Sequence, residues 1–457
     1  MQEWAVFSTN RSMRNIHKVS AIRFLSKSAQ IYKDPLPFHR ENFQRYGQTF
    51  KISPKPGLTI HFTCDTKLTQ HILQKNQRNY HKSSLQTHDL AKYIGHGLLT
   101  ANGEEWKANR KLVQPAFYKK QLAGIMDSMH QVIQQELRNI VPGKAMDIHK
   151  VFSDLAFKVV ARSLFYLEDM DERINRLQQI TEEAQKMLIK ELRLPFLQWY
   201  YNRRWLSGNR SIAYHMELID EARGILLDII EQRRKENKTY GDLLDMLLQS
   251  TYEDGTHMSD EQLIDEILVL FIAGHETTAN ALTFATQLLA HHPEKARKVQ
   301  GEISKLDSTD LMEQVRSMEY TKQVLDETMR LYPPAYVTDR VAVEADECDD
   351  ISIPAGSIWL ISFYEMHRRA DLWQQPEAFI PERFDPDKRK EYSDQYFPFG
   401  AGPRMCIGNN FAMFEMALVV KNILEKYDLE AIGDIIEYHP LITLRPKNAR
   451  VVFRERT

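Results

Sequence analysis

The sequence predicts a mainly α-helical protein with a small β region, organised as a single domain over residues 1–457 around one long central helix. An apolar helical pattern covers residues 261–291, and its part from 267 to 273 is nearly all apolar, as in a helix buried through a core. Two pairs of short strand patterns, within residues 49–63 and 351–362, are each interrupted by a turn containing proline and glycine. Helical spacing dominates the rest of the chain.

Composition and charge are those of an ordinary globular protein. Hydrophobic residues make up 43% of the 457 residues and charged residues 27%, and the net charge of −2 offers no basic surface for nucleic acid. The three cysteines, Cys64, Cys348 and Cys406, fit neither a disulfide framework nor a zinc site, and they suit a reducing compartment. Residues 1–25 contain no long apolar run, so we expect no membrane anchor and a cytoplasmic protein. We also expect a monomer.

The first strand pattern predicts a hairpin of residues 49–53 and 58–63. The polar stretch 79–97 predicts a long loop with one short helix, and long ordered loops are often functional. The aromatic stretch 194–201 is typical either of helix packing or of an apolar lid over a substrate entrance. Residues 351–353 and 357–362 predict a second hairpin.

The stretch 399–408 contains a single cysteine among three glycines and a proline, directly before a helical pattern that begins at Asn409. Backbone N–H groups and a helix N-terminus favour a thiolate, the form of cysteine that binds metal. A lone cysteine in such a place is usually structural, but here Phe399 and Arg404 complete the spacing Phe-x-x-Gly-x-Arg-x-Cys-x-Gly. This loop resembles the heme-binding loop of the cytochrome P-450 family, in which the cysteine, here Cys406, is the axial ligand of the heme iron.

The centre of the long helix turns abruptly polar at Gly274-His275-Glu276-Thr277-Thr278. A zinc-protease motif would need a second histidine at position 279, which is alanine. The segment resembles instead the oxygen-binding kink of the cytochrome P-450 central helix. We expect Ala273 and Gly274 to leave room for dioxygen, Thr277 to bond the carbonyl of residue 273, and Thr277 with Glu276 to deliver protons.

A pair of charges follows on the next helical pattern, where Glu327 and Arg330 lie three residues apart. Such a pair alone means little, because exposed ion pairs are common and weak. In the family it joins an arginine of the Pro-Glu-Arg-Phe stretch, here Arg383, in a buried network that braces the heme loop. The resemblance also assigns Trp106, Arg110 and Arg340 to heme binding through the propionates. It covers nearly the whole chain from Trp106 onward, and the first hundred residues match only in outline.

The resemblance implies a heme-thiolate monooxygenase that inserts one atom of dioxygen into a substrate C–H bond. Its cofactor would be heme b, with O2 as co-substrate. Electrons from NAD(P)H would come through separate redox proteins, a ferredoxin or flavodoxin with its reductase. Because the chain ends at Thr457, soon after the helix behind Cys406, no fused reductase is expected. A peroxygenase would not need Glu276 and Thr277, and a non-catalytic heme-binding sensor remains a remote alternative.

Two substrate hypotheses stay open. The first is hydroxylation of a lipophilic substrate, such as a fatty acid or terpenoid. It agrees with the aromatic stretch 194–201 and with the substrates that the resemblance to the family implies. The alternative is oxidative O-demethylation of a small polar methyl ether, such as a methylated sugar, with release of formaldehyde. It is suggested by the polar stretch 79–97, because sugar hydroxyls need directional partners. The candidate pocket residues are His88, Asp89, Tyr93, Phe271, Tyr336 and Val337.

Overall fold

The computed structural model describes residues 13–166, 172–193, 197–236 and 238–456. They group into two compact units. The first contains the residues up to 83 together with 337–366 and 401–404, and the second contains the remainder. The mainly α-helical fold with a small β region is confirmed, while a single domain stays a prediction.

Helices make up most of the second unit. The helices are α1 (Ala21–Ser26), α2 (Ser28–Lys33), α3 (Leu36–Tyr46), α4 (Thr66–Gln70), α5 (Ala91–Ile94), α6 (Gly103–Val113), α7 (Lys119–Leu137), α8 (Ile148–Phe165), α9 (Glu172–Arg193), α10 (Gln198–Tyr201), α11 (Arg204–Ser207), α12 (Ile212–Glu236), α13 (Leu243–Gln249), α14 (Asp260–His291), α15 (Pro293–Ile303), α16 (Leu311–Ser317), α17 (Glu319–Leu331), α18 (Phe363–Met366), α19 (Arg389–Tyr392) and α20 (Asn409–Lys426).

The strands form a six-stranded sheet and a hairpin in the first unit, and a three-stranded sheet and a hairpin in the second. They are β1 (His17–Lys18), β2 (Thr49–Lys55), β3 (Leu58–Thr63), β4 (Tyr80–His81), β5 (Ala145–Asp147), β6 (Val337–Ala342), β7 (Asp346–Cys348), β8 (Ile351–Ile353), β9 (Ile358–Ser362), β10 (Tyr427–Ala431), β11 (Glu437–Pro440), β12 (Leu444–Lys447) and β13 (Arg450–Glu455). The large sheet has the order β1-β2-β3-β9-β6-β4, and the smaller one the order β10-β13-β5.

One of the two predicted hairpins forms. Strands β2 and β3 pair antiparallel, with Thr49 opposite Thr63, as predicted. The second pairing is wrong, because β8 pairs with β7 whereas β9 pairs with β3 and β6. The turn after β8 exists, but it leads the chain from one sheet into another. As an interior strand, β9 buries Trp359 completely, and a partner on each edge satisfies its backbone groups.

The stretch 79–97 is more regular than the predicted loop. It contains β4, a π-helical turn at Leu85–Leu90 and α5. Its end is attached to α14 by two carboxylates, since Asp265 accepts the N–H of His96 at 2.7 Å and Glu266 accepts that of Leu98 at 2.9 Å.

Helix α14 is the core helix of the second unit. It begins at the N-cap Ser259, whose hydroxyl accepts the N–H of Gln262, and it packs against α8, α17 and α20. Among the described residues it alone is long and apolar enough to cross a membrane, but 78% of its most apolar window is buried inside the protein. Phe271 stacks on Phe157 and Phe165 of α8, with ring centroids 5.2 and 5.1 Å apart.

Candidate active site

The cysteine loop presents the sulfur of Cys406 at the start of α20. The N–H of Cys406 donates to the carbonyl of Phe399 at 2.9 Å, and the N–H of Gly408 donates to the sulfur. Burial raises the pKa of the Cys406 thiol, while the Gly408 N–H and the charge of Arg110 act in the opposite direction. The residue nevertheless keeps exposed surface. A bound metal cation would favour the thiolate there.

Two glycines of this loop adopt a left-handed backbone. Gly400 has φ +72° and Gly402 has φ +69°. A Cβ on Gly402 would collide with the carbonyl oxygen of Leu73, whereas a Cβ on Gly400 would meet open space. Gly402 is therefore required both by its dihedral and by the close approach of another backbone. Arg404 ends the 3₁₀ turn Gly402–Arg404 and is partly exposed.

Arg110 lies against the cysteine loop. Its Nη1 donates to the carbonyl of Met405 at 2.7 Å, its Nε donates to Gln114 at 3.0 Å, and its guanidinium lies 5.9 Å from the ring centroid of Trp106. Trp106 and Arg110 therefore share one face of α6, as their spacing predicts. Burial lowers the pKa of Arg110, and the charge of Cys406 opposes this shift. Because arginine keeps its charge in proteins, the side chain is a fixed cation beside the loop.

Arg340 on β6 is a buried cation. It is 8% exposed, and its Nη1 donates to the Thr338 hydroxyl at 3.2 Å and to the Asp339 carbonyl at 2.6 Å. Within the part of the chain that the structure describes, no carboxylate forms an ion pair with it. A buried charge needs a partner, and an anionic ligand would supply one. Within the second unit, Cys406 and Arg110 place a thiol beside a half-buried arginine, and this chemistry fits a heme with a propionate.

Glu327 and Arg330 on α17 form a fully buried ion pair. Nε and Nη2 of Arg330 donate to the two carboxylate oxygens of Glu327 at 2.7 and 2.8 Å, and neither side chain is exposed. Arg383 donates to the same carboxylate at 3.3 Å. The structure thus brings together the three residues that the sequence analysis grouped. Arg330 also donates to the carbonyls of Pro376 and Ala378, which secures the irregular stretch before the cysteine loop.

His367 joins this network to the cysteine loop, and sequence reasoning missed it. Its carbonyl accepts from Arg330 at 2.7 Å, and its ring Nε2 accepts the N–H of Phe397 at 3.1 Å, two residues before Phe399. Burial, reinforced by the charges of Arg330 and Arg368, lowers the pKa of His367 well below its usual range, so the ring is neutral and free to accept. A lone histidine after a methionine gave no signal in the sequence.

Helix α14 is partly exposed at one stretch, residues 273–277, which we call the opening. From residue 263 to residue 290 every side chain is buried except those of Ala273, Glu276 and Thr277, and Gly274 is also partly exposed. The Thr277 hydroxyl donates to the carbonyl of Ala273 at 2.7 Å, and the backbone is α-helical throughout the segment. The opening in a buried helix coincides with the acid-alcohol segment.

Gly274 has a packing role that differs from the one expected from the sequence. A Cβ at this position would lie 3.0 Å from Cγ2 of Val160 on α8. The absent side chain therefore brings α14 close to α8, and Ala273 is left as the small residue of the opening. The Glu276 carboxylate accepts a hydrogen bond from the hydroxyl of Thr443 at 2.9 Å, a partner that its sequence position did not reveal.

The candidate pocket residues differ in their exposure and in their contacts. The side chains of His88 and Asp89 are 81% and 46% exposed and pair with each other at 3.1 Å. Phe271 belongs to the aromatic stack on α8. Tyr93 is buried and donates to Glu191 of α9 at 2.6 Å.

The remaining pocket candidates are held by backbone groups. Tyr336 is buried and donates to the carbonyl of Leu441 at 2.8 Å, while Val337 begins β6 and is half-buried. Of the aromatic stretch, residues 194–196 lie outside the described residues, and α10 leaves Trp199 56% exposed while it buries Tyr201. The assignment of these residues to a substrate pocket stays a prediction.

Comparison with known proteins places this geometry in a family. The sequence profile of the family described as "Cytochrome P450" matches residues 21–453. The chain is 29% identical to a cyclooctat-9-en-7-ol 5-monooxygenase of Streptomyces melanosporofaciens, covering 90% of this chain and 89% of the relative. It is 31% identical to a cytokinin hydroxylase of Arabidopsis thaliana, covering 90% and 81%. The crystal structure of the cytochrome P450DA heme domain has the same fold, with a TM-score of 0.84 at 21% identity, covering 98% of this chain and 99% of that one.

Proposed function

The chain belongs to the cytochrome P450 family of monooxygenases, and we propose that it hydroxylates a C–H bond of a lipophilic substrate such as a terpenoid or a fatty acid. The opening of α14 at Ala273, Glu276 and Thr277 carries this proposal. A helix buried along its other turns exposes a small residue, a carboxylate and a hydroxyl together, and this combination suits controlled proton delivery next to a reacting centre.

Heme, which the family uses with dioxygen, supplies the redox chemistry of oxygen activation, and a thiolate ligand favours cleavage of the O–O bond. Cys406 would ligate the iron, while Arg110 and Arg340 would bind propionates and Trp106 would pack beside Arg110. The Gly408 N–H would keep a hydrogen bond to the sulfur, which tunes its electron donation. The cysteine loop would be kept rigid by the buried network of Glu327, Arg330, Arg383 and His367.

Thr277 and Glu276 would handle the protons. The Thr277 hydroxyl already donates its proton to the Ala273 carbonyl, so its lone pairs face outward to accept from a water molecule. Rotation of the hydroxyl would turn it into a donor towards the opening. Glu276 has one oxygen bonded to Thr443, and its other oxygen would exchange protons with water in the opening.

The lipophilic substrate is supported on two sides. One similar protein is named as a cyclooctat-9-en-7-ol 5-monooxygenase, and another as a cytokinin hydroxylase. The polar alternative, demethylation of a methylated sugar, depended on His88 and Asp89 lining the pocket, and both side chains point to solvent. That alternative therefore loses its structural basis. A sensor without turnover would have no use for the exposed acid and alcohol.

Members of the family need redox partners, and we propose a ferredoxin or flavodoxin with an NAD(P)H-dependent reductase as the electron source. Heme b as the cofactor type, a cytoplasmic location and a monomeric state stay predictions.

Thr277→Ala tests the proposal, with Thr283→Ala as the matched control. Thr283 lies on the same helix and makes the same kind of bond, to the carbonyl of Ala279 at 2.6 Å, but it is fully buried. Terpenoids and fatty acids that shift the heme spectrum would be supplied with NADH, a surrogate ferredoxin and its reductase. We expect Thr277→Ala to keep substrate binding while most electrons pass to hydrogen peroxide, and Thr283→Ala to stay coupled. Hydroxylated product formed equally well by both variants would refute the role of Thr277.

A further inference from the structure

A chain of hydrogen bonds leads from the edge of the second unit to Glu276. Nε2 of His149 lies 3.0 Å from Oδ1 of Asn280, Nδ2 of Asn280 donates to the Thr443 hydroxyl at 3.0 Å, and that hydroxyl donates to Glu276 at 2.9 Å. The four groups come from α8, α14 and the turn between β11 and β12. None of them has a role in the mechanism above except Glu276.

The chain has a defined direction. A hydroxyl has only one proton, so Thr443, which accepts from Asn280, commits its proton to the carboxylate. The Asn280 amide donates to Thr443 through nitrogen and accepts through oxygen, and the partner of that oxygen is the imidazole of His149. Burial and the charge of Arg445 lower the pKa of His149 to about 4, so the ring is neutral at physiological pH and donates from Nε2. Each donor is thus matched by one acceptor, ending at Oε1 of Glu276.

Thr443 is itself held in place by backbone bonds. In the turn between β11 and β12, the N–H of Leu441 donates to the carbonyl of Thr443 at 2.9 Å. The next residue, Leu444, donates its N–H to the carbonyl of Pro334 at 2.9 Å, and Tyr336 donates to the carbonyl of Leu441 at 2.8 Å. The turn is thereby attached to the segment after Pro334. Asn280 is fully buried and Thr443 is 9% exposed, so neither exchanges its partner freely with water.

We propose that Thr443 is a positioning residue for proton delivery, which with Asn280 holds the Glu276 carboxylate in one orientation at the opening of α14. This inference rests on the proposed function of Glu276 and Thr277. A free glutamate side chain samples several rotamers, and fixing one of them keeps Oε2 directed at the water that Thr277 shares. Because the turn is also bonded to Tyr336, a substrate that displaces the 334–336 segment would move Thr443 and thereby alter proton delivery.

The first experiment measures the contact itself, without turnover. Thr443→Val removes the hydroxyl at nearly constant shape, and Thr443→Ser retains it. Urea unfolding midpoints of the holoenzyme are compared for Thr443→Val alone, Glu276→Ala alone and the double variant. We expect the midpoint shift caused by Thr443→Val to be less than half as large in the Glu276→Ala background, because the lost donor no longer has its acceptor. Equal shifts in the two backgrounds would overturn the contact. The control is Thr283→Val, on the same helix as Glu276. It should shift the unfolding midpoint equally in the parent and in the Glu276→Ala background.

The second experiment asks whether the contact positions a catalytic group. Reduction of dioxygen to peroxide uses two electrons and two protons, whereas reduction to water uses four of each, so the ratio of peroxide released to NADH consumed reports proton delivery. It is measured with a surrogate ferredoxin and its reductase, in the absence of any organic substrate. We expect Thr443→Val to raise the ratio severalfold, and Thr443→Ser and Thr283→Val to leave it unchanged. A purely structural contact would lower stability without changing this ratio.

The outcomes separate the inference from the function on which it rests. If Glu276→Gln and Thr277→Ala raise the peroxide ratio and Thr443→Val does not, the positioning role of Thr443 is wrong and the proposed function stands. If neither Glu276→Gln nor Thr277→Ala changes the ratio, the proposed function of the pair is wrong. In that case the unfolding cycle still decides whether Thr443 bonds Glu276, but the positioning role falls with the pair.

Discussion

The cysteine loop with its bracing network and the segment 84–97 differ in how they are held. The loop is fixed by short-range geometry and by fully buried charges, such as Glu327 and Arg330 at 2.7 Å. The segment 84–97 is attached through side chains of other helices, such as Glu191 of α9 and Asp265 of α14, and Glu266 of α14 bonds Leu98 directly after it. Its tip residues His88 and Asp89 are exposed. Sequence spacing is informative for the first kind of region and uninformative for the second.

The largest effect is expected at the centre of the network. Glu327→Ala would leave Arg330 as a fully buried charge without a carboxylate, which costs about 3 to 5 kcal/mol. Since whole domains are stable by about 5 to 15 kcal/mol, the variant should yield little folded holoenzyme, measured by heme content and urea unfolding. Glu221→Ala is the control, because its pair with Arg176 is as short, at 2.6 Å, but exposed. It should change the unfolding free energy by less than about 1 kcal/mol. Equal losses in the two variants would show that burial does not set the importance of the pair.

The next largest effect concerns the two glycines of the cysteine loop. One is required only by its backbone dihedral, and the other by its dihedral and by steric contact. Gly400→Ala meets only the dihedral penalty, about 1 to 2 kcal/mol, because its Cβ would point into open space. Gly402→Ala meets a similar penalty and also a collision with the Leu73 carbonyl, so we expect about 2 to 4 kcal/mol and loss of heme. Urea unfolding of the two variants provides the comparison. Equal destabilisation would mean that the close backbone approach is unimportant.

The smallest effect concerns the attachment of the segment 84–97. Burial raises the pKa of Glu266 to about 7, although the Leu98 N–H and Gln262 oppose the shift. A carboxyl with a higher pKa in the folded than in the unfolded chain stabilises the fold fully below its unfolded pKa and loses that contribution as the pH rises through 7. We expect unfolding free energy to fall by up to about 3 kcal/mol between pH 5 and 8 from this group. Glu266→Gln should remove this part of the pH dependence.

Glu261→Gln is the control for that measurement, because Glu261 lies on the same helix with its side chain 84% exposed. In Glu261→Gln, the slope of the unfolding free energy against pH should be the same as in the parent protein. An unchanged slope in Glu266→Gln would show that the carboxyl ionises as readily as an exposed one, and that the segment 84–97 is attached without a pH-sensitive group.

The difference between these two regions also explains which features could be predicted from the sequence. The spacing within 399–408 and the polar interruption in α14 indicate Cys406 and Thr277 as candidate site residues, since both patterns depend on residues within a few turns of each other. The strand pairing of β9 could not be predicted, because its partners β3 and β6 lie far away in the chain. His367 and Thr443 were missed for the same reason. Each forms hydrogen bonds to residues distant in the chain, and neither residue type stands out alone.

The absorption spectrum of the reduced holoenzyme with carbon monoxide tests the central claim most directly. A heme with a thiolate ligand gives a red-shifted band, and the account predicts this band in the parent and in the Cys64→Ala/Cys348→Ala double variant. It predicts the loss of the band in Cys406→Ala, even where that variant still binds heme. A red-shifted band that persists in Cys406→Ala, or is absent from the parent, would contradict the assignment of Cys406 as the ligand.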